Sequence, residues 1–308
     1  MLALVRDGEH DPPVAVREVP EPEPAAHEAL VGVRASSLNR GELALLANRD
    51  DGWRPGQDVA GVVTRPAADG SGPPTGARVA GLVEGAAWAE RVAVPTARLA
   101  ELPDGVDFER ASTLGIAGLT ALRIVRLGGS LIGRSVLVTA AGGAVGRLAL
   151  QLAARAGARV TAQVRSPGRH PALADLGAAE ILSREDVPAA GFDLVLDGVG
   201  GTGLEQAIAA VRPGGTVVLF GATVGEPARV ALFDFVGHEG ARIVPFLSYA
   251  SGTEEDIGAD LATLAGLVGD GDLETTVGLV VDWREPEHAI EALREGDVEG
   301  KAVLVVGG

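Results

Sequence analysis

The stretch SVLVTAAGGAVGRLALQLAARAGARV, Ser135 to Val160, constrains the fold of this chain more than any other. Val136 to Thr139 is a short apolar, β-branched run of the kind that a parallel sheet buries on both faces. Ala140 to Gly146 come next, small residues that let backbone approach backbone. Leu148, Leu152 and Ala156 then recur at helical spacing, and Gly157 stands where a helix would stop. The pattern Ala141-x-Gly143-x-x-Gly146 is a dinucleotide fingerprint with alanine at its first glycine position. Gly143 would admit a pyrophosphate, Gly146 would let helix pack on strand, and the helix N-terminus would supply N–H donors. A strand–helix turn that binds nothing has the same short signature, so the residues beyond Val160 decide between the two.

Those residues repeat the unit. Arg159 to Val164 reads as a second strand, Pro171 to Leu176 as a helix closed by Gly177, and Phe192 to Leu196 as a further strand ending in glycines. Leu204 to Val211 is helical, RPGG is a turn, and Thr216 to Phe220 is another strand. Strands alternating with helices imply right-handed βαβ units and a doubly wound parallel sheet. Before the fingerprint the pattern is β-rich: residues 29–35, 58–64, 77–83 and 88–95 read as strands between Pro- and Gly-rich loops. After Phe246, a helix over 257–271, a strand in VGLVVDW, a helix in PEHAIEALREG and a strand in KAVLVV are expected to return and complete the N-terminal domain. The expected domains are 1–115 and 257–308, forming one, and 116–256, forming the other.

With 308 residues the chain can bury a core for two domains, and 46% apolar residues make it globular. Net charge −16 disfavours nucleic acid and anionic membrane as partners. No run reaches the roughly 18 apolar residues of a membrane span, and the N-terminus turns acidic too early for a signal peptide, so a cytoplasmic protein is expected. Zero cysteines excludes disulfides, thiolate ligands and cysteine nucleophiles. Lys301 is the only lysine, which a GC-rich coding bias toward arginine explains.

Segments along nearly the whole chain together resemble one family: VRASSLNRGEL, RPGQDVAGVV, GARVAGLV, GAAWAERVAVP, LPDGVDFERASTLGIAGLTAL, AAGGAVG, FDLVLDGVGG, RPGGTVVLFG and GKAVLVV. In this order they resemble the zinc-independent medium-chain dehydrogenase/reductases of the quinone oxidoreductase and enoyl reductase branch. The resemblance implies a GroES-like β-rich catalytic domain interrupted by a Rossmann cofactor domain. Zinc-dependent relatives carry a Gly-His-Glu segment where Gly56, Gln57 and Asp58 stand here. None of the five histidines is paired at ligand spacing, so no zinc is expected.

Cofactor choice is read from the end of the second strand. An NAD enzyme places Asp or Glu there for the ribose hydroxyls, whereas this chain has Arg165, Ser166 and Arg169, which would pair with a 2′-phosphate. NADPH is expected rather than NADH, with ordinary surface arginines as the bland alternative. The resemblance adds Thr120, the loop Gly142, Gly143, Ala144 and Val145, then Val199, Gly221, Ala222, Thr223, Phe246, Leu247, Ser248 and Lys301 as cofactor contacts. It also places Asn39, with Ser36, where an acceptor carbonyl would be held. Asn39 would equally serve to cap a helix over Arg40 to Leu46. Several relatives carry a tyrosine where Ala44 stands, and no strong proton donor is identified.

The function implied is hydride transfer from NADPH to a small-molecule quinone or α,β-unsaturated carbonyl. A pathway-specific enoyl reductase and a catalytically silent NADP(H)-binding module are the rivals. Relatives pair through the last strand of the Rossmann sheet, so a homodimer joined near Ile243 to Leu247 is expected.

Overall fold

The computed structural model describes residues 1–248 and 254–307. Two compact units form, Met1–Leu119 with Gly252–Gly308, and Thr120–Ser251. The first begins with a hairpin, β1 (Leu2–Arg6) against β2 (Val14–Glu18). The sequence reading missed these strands because short loops crowd them. Next come β3 (Glu28–Ser37), α1 (Arg40–Asn48), β4 (Asp58–Arg65), β5 (Arg78–Leu82), β6 (Arg91–Pro95), β7 (Leu99–Glu101) and α2 (Phe108–Ser112). Alternating residues of β3 and β6 face inward, burying Val31, Val33, Val92 and Val94 with Leu4, Val59 and Trp88 in one apolar core.

α3 (Leu119–Arg126) leads into the second unit. There β8 (Ser135–Val138), α4 (Ala144–Arg155), β9 (Arg159–Gln163), β10 (Ala178–Leu182), β11 (Phe192–Asp197), α5 (Thr202–Ala210), β12 (Val211–Leu219) and β13 (Arg242–Pro245) appear in turn. Their six-stranded sheet has the order β10-β9-β8-β11-β12-β13, and every pairing is parallel. The doubly wound expectation holds. The order reverses direction beside β8, the switch point at which such sheets bind ligands beyond their carboxyl ends.

Three local readings need correction. The helix expected over Pro171 to Leu176 is only a pair of 3₁₀ turns, Pro167–Arg169 and Pro171–Leu173. The segment is too short to propagate an α-helix, and Ala174 to Pro171 and Gly177 to Ala174 close i→i−3 bonds instead. RPGG is not a turn between elements but a bulge inside β12. Val211 already pairs with Phe192, and pairing resumes at Thr216 with Leu194. The last Rossmann strand, expected near Ile243 to Leu247, ends at Pro245.

The chain then returns to the first unit through α6 (Glu254–Gly269), β14 (Val277–Asp282), α7 (Glu287–Glu295) and β15 (Lys301–Val305). The completed sheet runs β14-β15-β3-β4-β5-β7, with β6 also on β3. β15 lies antiparallel to β3, with Val303 opposite Ser37 and Val305 opposite Ala35. Extending that register by two residues sets Lys301 opposite Asn39.

The seat of α4 against β8 depends on Gly146. A Cβ there would lie 2.5 Å from the Ala140 carbonyl oxygen and 2.7 Å from the Ala141 Cα, both backbone atoms. Gly146→Ala is expected to cost about 1–3 kcal/mol, the scale of overpacking, and to lower the thermal midpoint. A midpoint equal to that of the wild type would show that α4 can shift without cost.

Candidate functional site

In the first unit the chain builds a buried polar cluster where β3, α1, β4 and β15 meet. Asn39 caps α1, and the Glu42 carboxylate accepts its backbone N–H at 2.8 Å. The other Glu42 oxygen accepts from the Gln57 backbone at 2.8 Å, so one carboxylate ties the start of α1 to the approach of β4. The Asn39 amide nitrogen donates to Asp58 at 3.0 Å and toward Glu42 at 3.3 Å. Its oxygen accepts from Lys301 Nζ at 2.7 Å. The same ammonium donates to the Leu38 carbonyl at 2.8 Å and to Asp58 at 3.1 Å. Ser37 donates to Asp58 at 2.5 Å, the Ile116 backbone N–H does so at 2.7 Å, and Ser36 donates to the Asp58 carbonyl at 2.6 Å.

These contacts bear on two expectations. Lys301 is 4% exposed and its three N–H donors are committed to Leu38, Asn39 and Asp58, which leaves none for a cofactor phosphate. Ser36 is fully buried with its hydroxyl on main chain, so it presents no free donor. Asn39 is 7% exposed with both amide hydrogens directed at carboxylates. It acts here as an organiser of the segment. The arrangement does not suit zinc. Asp58 is filled by four donors, one of them an ammonium that would repel a dication. Among the described residues no group of three or more His, Cys, Asp or Glu is placed to hold a metal.

Sequence reasoning passed over Glu42 and used Asp58 only as a mismatch to a zinc motif. The only signal was a carboxylate inside an apolar setting. Burial, reinforced by the neighbouring Asp58, pushes the Glu42 carboxyl up to about 8, against the pull of Lys301 and the Asn39 and Gln57 N–H groups.

The second unit gathers the remaining candidates on one edge. Because its strands are parallel, the residues just beyond β8, β9, β11, β12 and β13 all emerge on the same side of the sheet. They include Gly142 to Val145, Arg165 to Arg169, Val199, Gly221 to Thr223, and Phe246 to Ser248. Gly143 is exposed and precedes the first turn of α4, whose N–H groups face outward. Arg165, Ser166 and Arg169 are exposed, and among the described residues neither arginine makes a side-chain hydrogen bond or ion pair. Thr120 is buried in α3.

Three residues not foreseen complete this edge. The His170 ring packs on Gly142, whose Cβ position lies 2.8 Å from Cε1. Burial, helped by Arg147 and Arg169, holds the His170 pKa below its ordinary value. Arg147 donates to the Gly142 carbonyl at 3.2 Å from the first turn of α4. Asp197, fully buried, accepts from Thr139 at 2.6 Å and from the Val199 and Gly200 N–H groups at 3.1 and 3.2 Å, fixing the loop after β11. Exposed glycine backbone, a helix N-terminus and uncommitted arginines fit a dinucleotide phosphate.

One chain thus combines a β-rich unit that houses a buried polar cluster with a doubly wound unit whose strand ends bare glycine backbone and exposed arginines. The family model described as zinc-binding dehydrogenase matches residues 144–265. The chain is 34% identical over 93% of its length to the spectinabilin polyketide synthase system protein NorB of Streptomyces orinoci, of which it spans 14%. The quinone oxidoreductase structure from Coxiella burnetii superposes with a TM-score of 0.85 at 25% identity, over 100% of this chain and 99% of that one. A mycobacterial protein complexed with NADPH has the same fold, with a TM-score of 0.88 at 24% identity over 99% and 100% of the two chains. The chain is thus similar in sequence and in fold to the medium-chain dehydrogenase/reductases, through residues 144–265 for the family model and over its full length for the quinone oxidoreductase structure.

Glu42 gives the cluster a testable pH signature. The unfolded chain releases its proton near the ordinary value of 4.5, whereas the folded protein keeps it until about 8. Folding therefore takes up a proton between those values, and stability falls as pH rises through that window. Glu42→Gln cannot ionise, but it offers one acceptor where two carboxyl oxygens each receive an N–H. The variant is expected to be less stable by roughly 1–3 kcal/mol near pH 5, with the gap closing toward pH 9. Urea unfolding at both pH values checks this, and an equal gap at the two would refute the assignment.

Proposed function

We propose that the protein is an NADPH-dependent reductase of quinones or α,β-unsaturated carbonyls that works without a catalytic metal. The observation that carries this reading is the end of β9. Two arginines without partners among the described residues stand there with a hydroxyl, where a carboxylate would serve NADH. When bound, NADPH supplies a hydride for the electrophilic carbon conjugated to the acceptor carbonyl. Arg165, Ser166 and Arg169 hold the 2′-phosphate, and the backbone of Gly142 to Val145 receives the pyrophosphate at the start of α4. Val199, held by Asp197, together with Gly221 to Thr223 and Phe246 to Ser248, lines the same edge. Thr120 is proposed on the nicotinamide side. The Asn39 cluster fixes the segment that bears the acceptor. Ala44, exposed on α1, offers no proton, so water returns the proton at the adjacent carbon.

A second reading, an enoyl reductase dedicated to one biosynthetic pathway, is favoured by the likeness to a polyketide synthase protein. NADPH oxidation against a panel of simple quinones and enones separates the two, because a dedicated enzyme would ignore most of the panel. Arg165→Ala is expected to weaken NADPH binding by roughly 1–3 kcal/mol and to leave NADH nearly unchanged. Equal loss of both cofactors in a fluorescence titration would sink the 2′-phosphate assignment.

A homodimer is proposed through the edge strand β13. Ile243 on that strand is partly exposed, and Leu232, Phe233 and Val236 nearby in sequence are 82%, 81% and 71% exposed, more apolar surface than a monomer ordinarily presents. Sedimentation is expected to show a dimer at micromolar concentration, and Phe233→Asp to shift it toward monomer. A wild-type monomer under those conditions would overturn the proposal.

A further inference from the structure

Buried charged groups in the first unit are matched with partners, and Arg54 breaks that pattern. Lys301 has three acceptors, Asp58 four donors, and Glu42 an N–H on each oxygen. The Nε and Nη2 atoms of Arg54, by contrast, are sealed from solvent with no hydrogen-bond partner among the described residues. Burial lowers its pKa, although a guanidinium remains charged in any protein. Orphan nitrogens also occur on Arg98, Trp88 and Trp283. Arg98, however, has only its Nε unmet and reaches Glu84 through Nη2 at 3.9 Å. The indoles are neutral and sit in the apolar core, where an unmade bond costs far less than on a cation.

The identity of the two orphan atoms is informative. Nε and Nη2 form one edge of the guanidinium, with parallel N–H bonds spaced to match both oxygens of a carboxylate or phosphate. The backbone beneath them is rigid. Ala86 donates to the Arg54 carbonyl at 2.9 Å, Trp88 to Pro55 at 3.2 Å and Ala87 to Gly56 at 3.0 Å. Gly56 adopts φ +102°, and a Cβ there would lie 2.3 Å from the Trp88 nitrogen, so the two segments are locked together. Three residues after Arg54, the Gln57 N–H is held by Glu42, the carboxylate that also holds Asn39. The residue as a whole is partly exposed, so anion binding requires its side chain to turn this edge outward.

We propose that Arg54 is a specificity-determining receptor for an oxyanion carried by the acceptor molecule, a carboxylate or phosphate group remote from the conjugated carbonyl. Naming the ligand as the acceptor rests on the reductase reading above, whereas anion binding itself does not. An empty edge destabilises the unliganded protein, and a bidentate anion satisfies it.

The test uses three acceptors that share one conjugated carbonyl: neutral methyl propenyl ketone, the carboxylate-bearing enone 6-oxohept-4-enoate, and the phosphate ester of the γ-hydroxy derivative of the ketone. Calorimetric titration of the full chain is expected to show tighter binding of one anionic probe, and which one identifies the group. Arg54→Met should weaken that probe about tenfold to hundredfold and leave the neutral ketone unchanged. Arg54→Lys should recover part of the loss. The unliganded Arg54→Met protein should melt at the same temperature as wild type or higher, whereas a structural arginine would lower it. No preference for either anion, or equal weakening of charged and neutral probes, overturns the proposal. Arg54-dependent binding with no NADPH oxidation by any probe would reject the reductase reading and leave the anion receptor standing.

Discussion

The first unit depends on one buried ion pair, Lys301 with Asp58, whose members lie 243 residues apart. It closes a chain that leaves the unit after α2, at the start of α3, and returns only at α6. Such a pair adds little net stability, because removing both charges from water offsets most of their attraction. Removing one partner, however, costs about 3–5 kcal/mol. What the pair fixes is register. Sliding β15 along β3 by one residue would exchange Lys301 for an apolar neighbour and strand Asp58 without its cation. The donors and acceptors around Asn39 then leave its amide one orientation, oxygen to the ammonium and nitrogen to the carboxylates.

The two units use polar groups in opposite ways. In the Asn39 cluster nearly every donor meets an acceptor inside the protein, so the cluster holds backbone in place and has little left for a solute. Along the edge of the second sheet, the α4 N-terminus and the side chains of Arg165 and Arg169 are left without partners among the described residues. Satisfied groups position and unsatisfied groups bind. By that criterion Lys301, Ser36 and Asn39 belong with the scaffold, although their residue types suggested chemistry, and Arg54, with a whole guanidinium edge unmet, departs from it.

The sequence made the second unit legible because its signals are local. β8, the glycine turn and α4 lie within one short stretch, and strand and helix periods differ enough to be told apart. The 3₁₀ turns at Pro167 and Pro171 read as a helix because spacing in a few residues cannot reveal whether backbone bonds close i→i−3 or i→i−4. The RPGG bulge reads as a turn because only the partner strand shows that pairing continues on both sides of it. β10 escapes notice, since its exposed AAEIL has no apolar alternation. The Lys301 contacts are illegible for a deeper reason. A lone lysine at a strand start reads as a solvated end, and only the antiparallel register of β15 on β3 carries its ammonium onto Asn39 and Asp58.

Charge shows why the β9 end weighs more than its size suggests. The chain carries −16 overall, a field that opposes any polyanion approaching from solution. Against that background Arg165 and Arg169 stand without described partners in the segment that also brings His170, whose imidazole is held toward its neutral form. A local cationic surface is retained where the glycine loop bares its backbone. On the neighbouring strand Arg159 pairs with Glu180, whereas Arg165 and Arg169 make no such pair among the described residues. Their isolation leaves their donors open, and that is the ground on which the 2′-phosphate is proposed as their ligand.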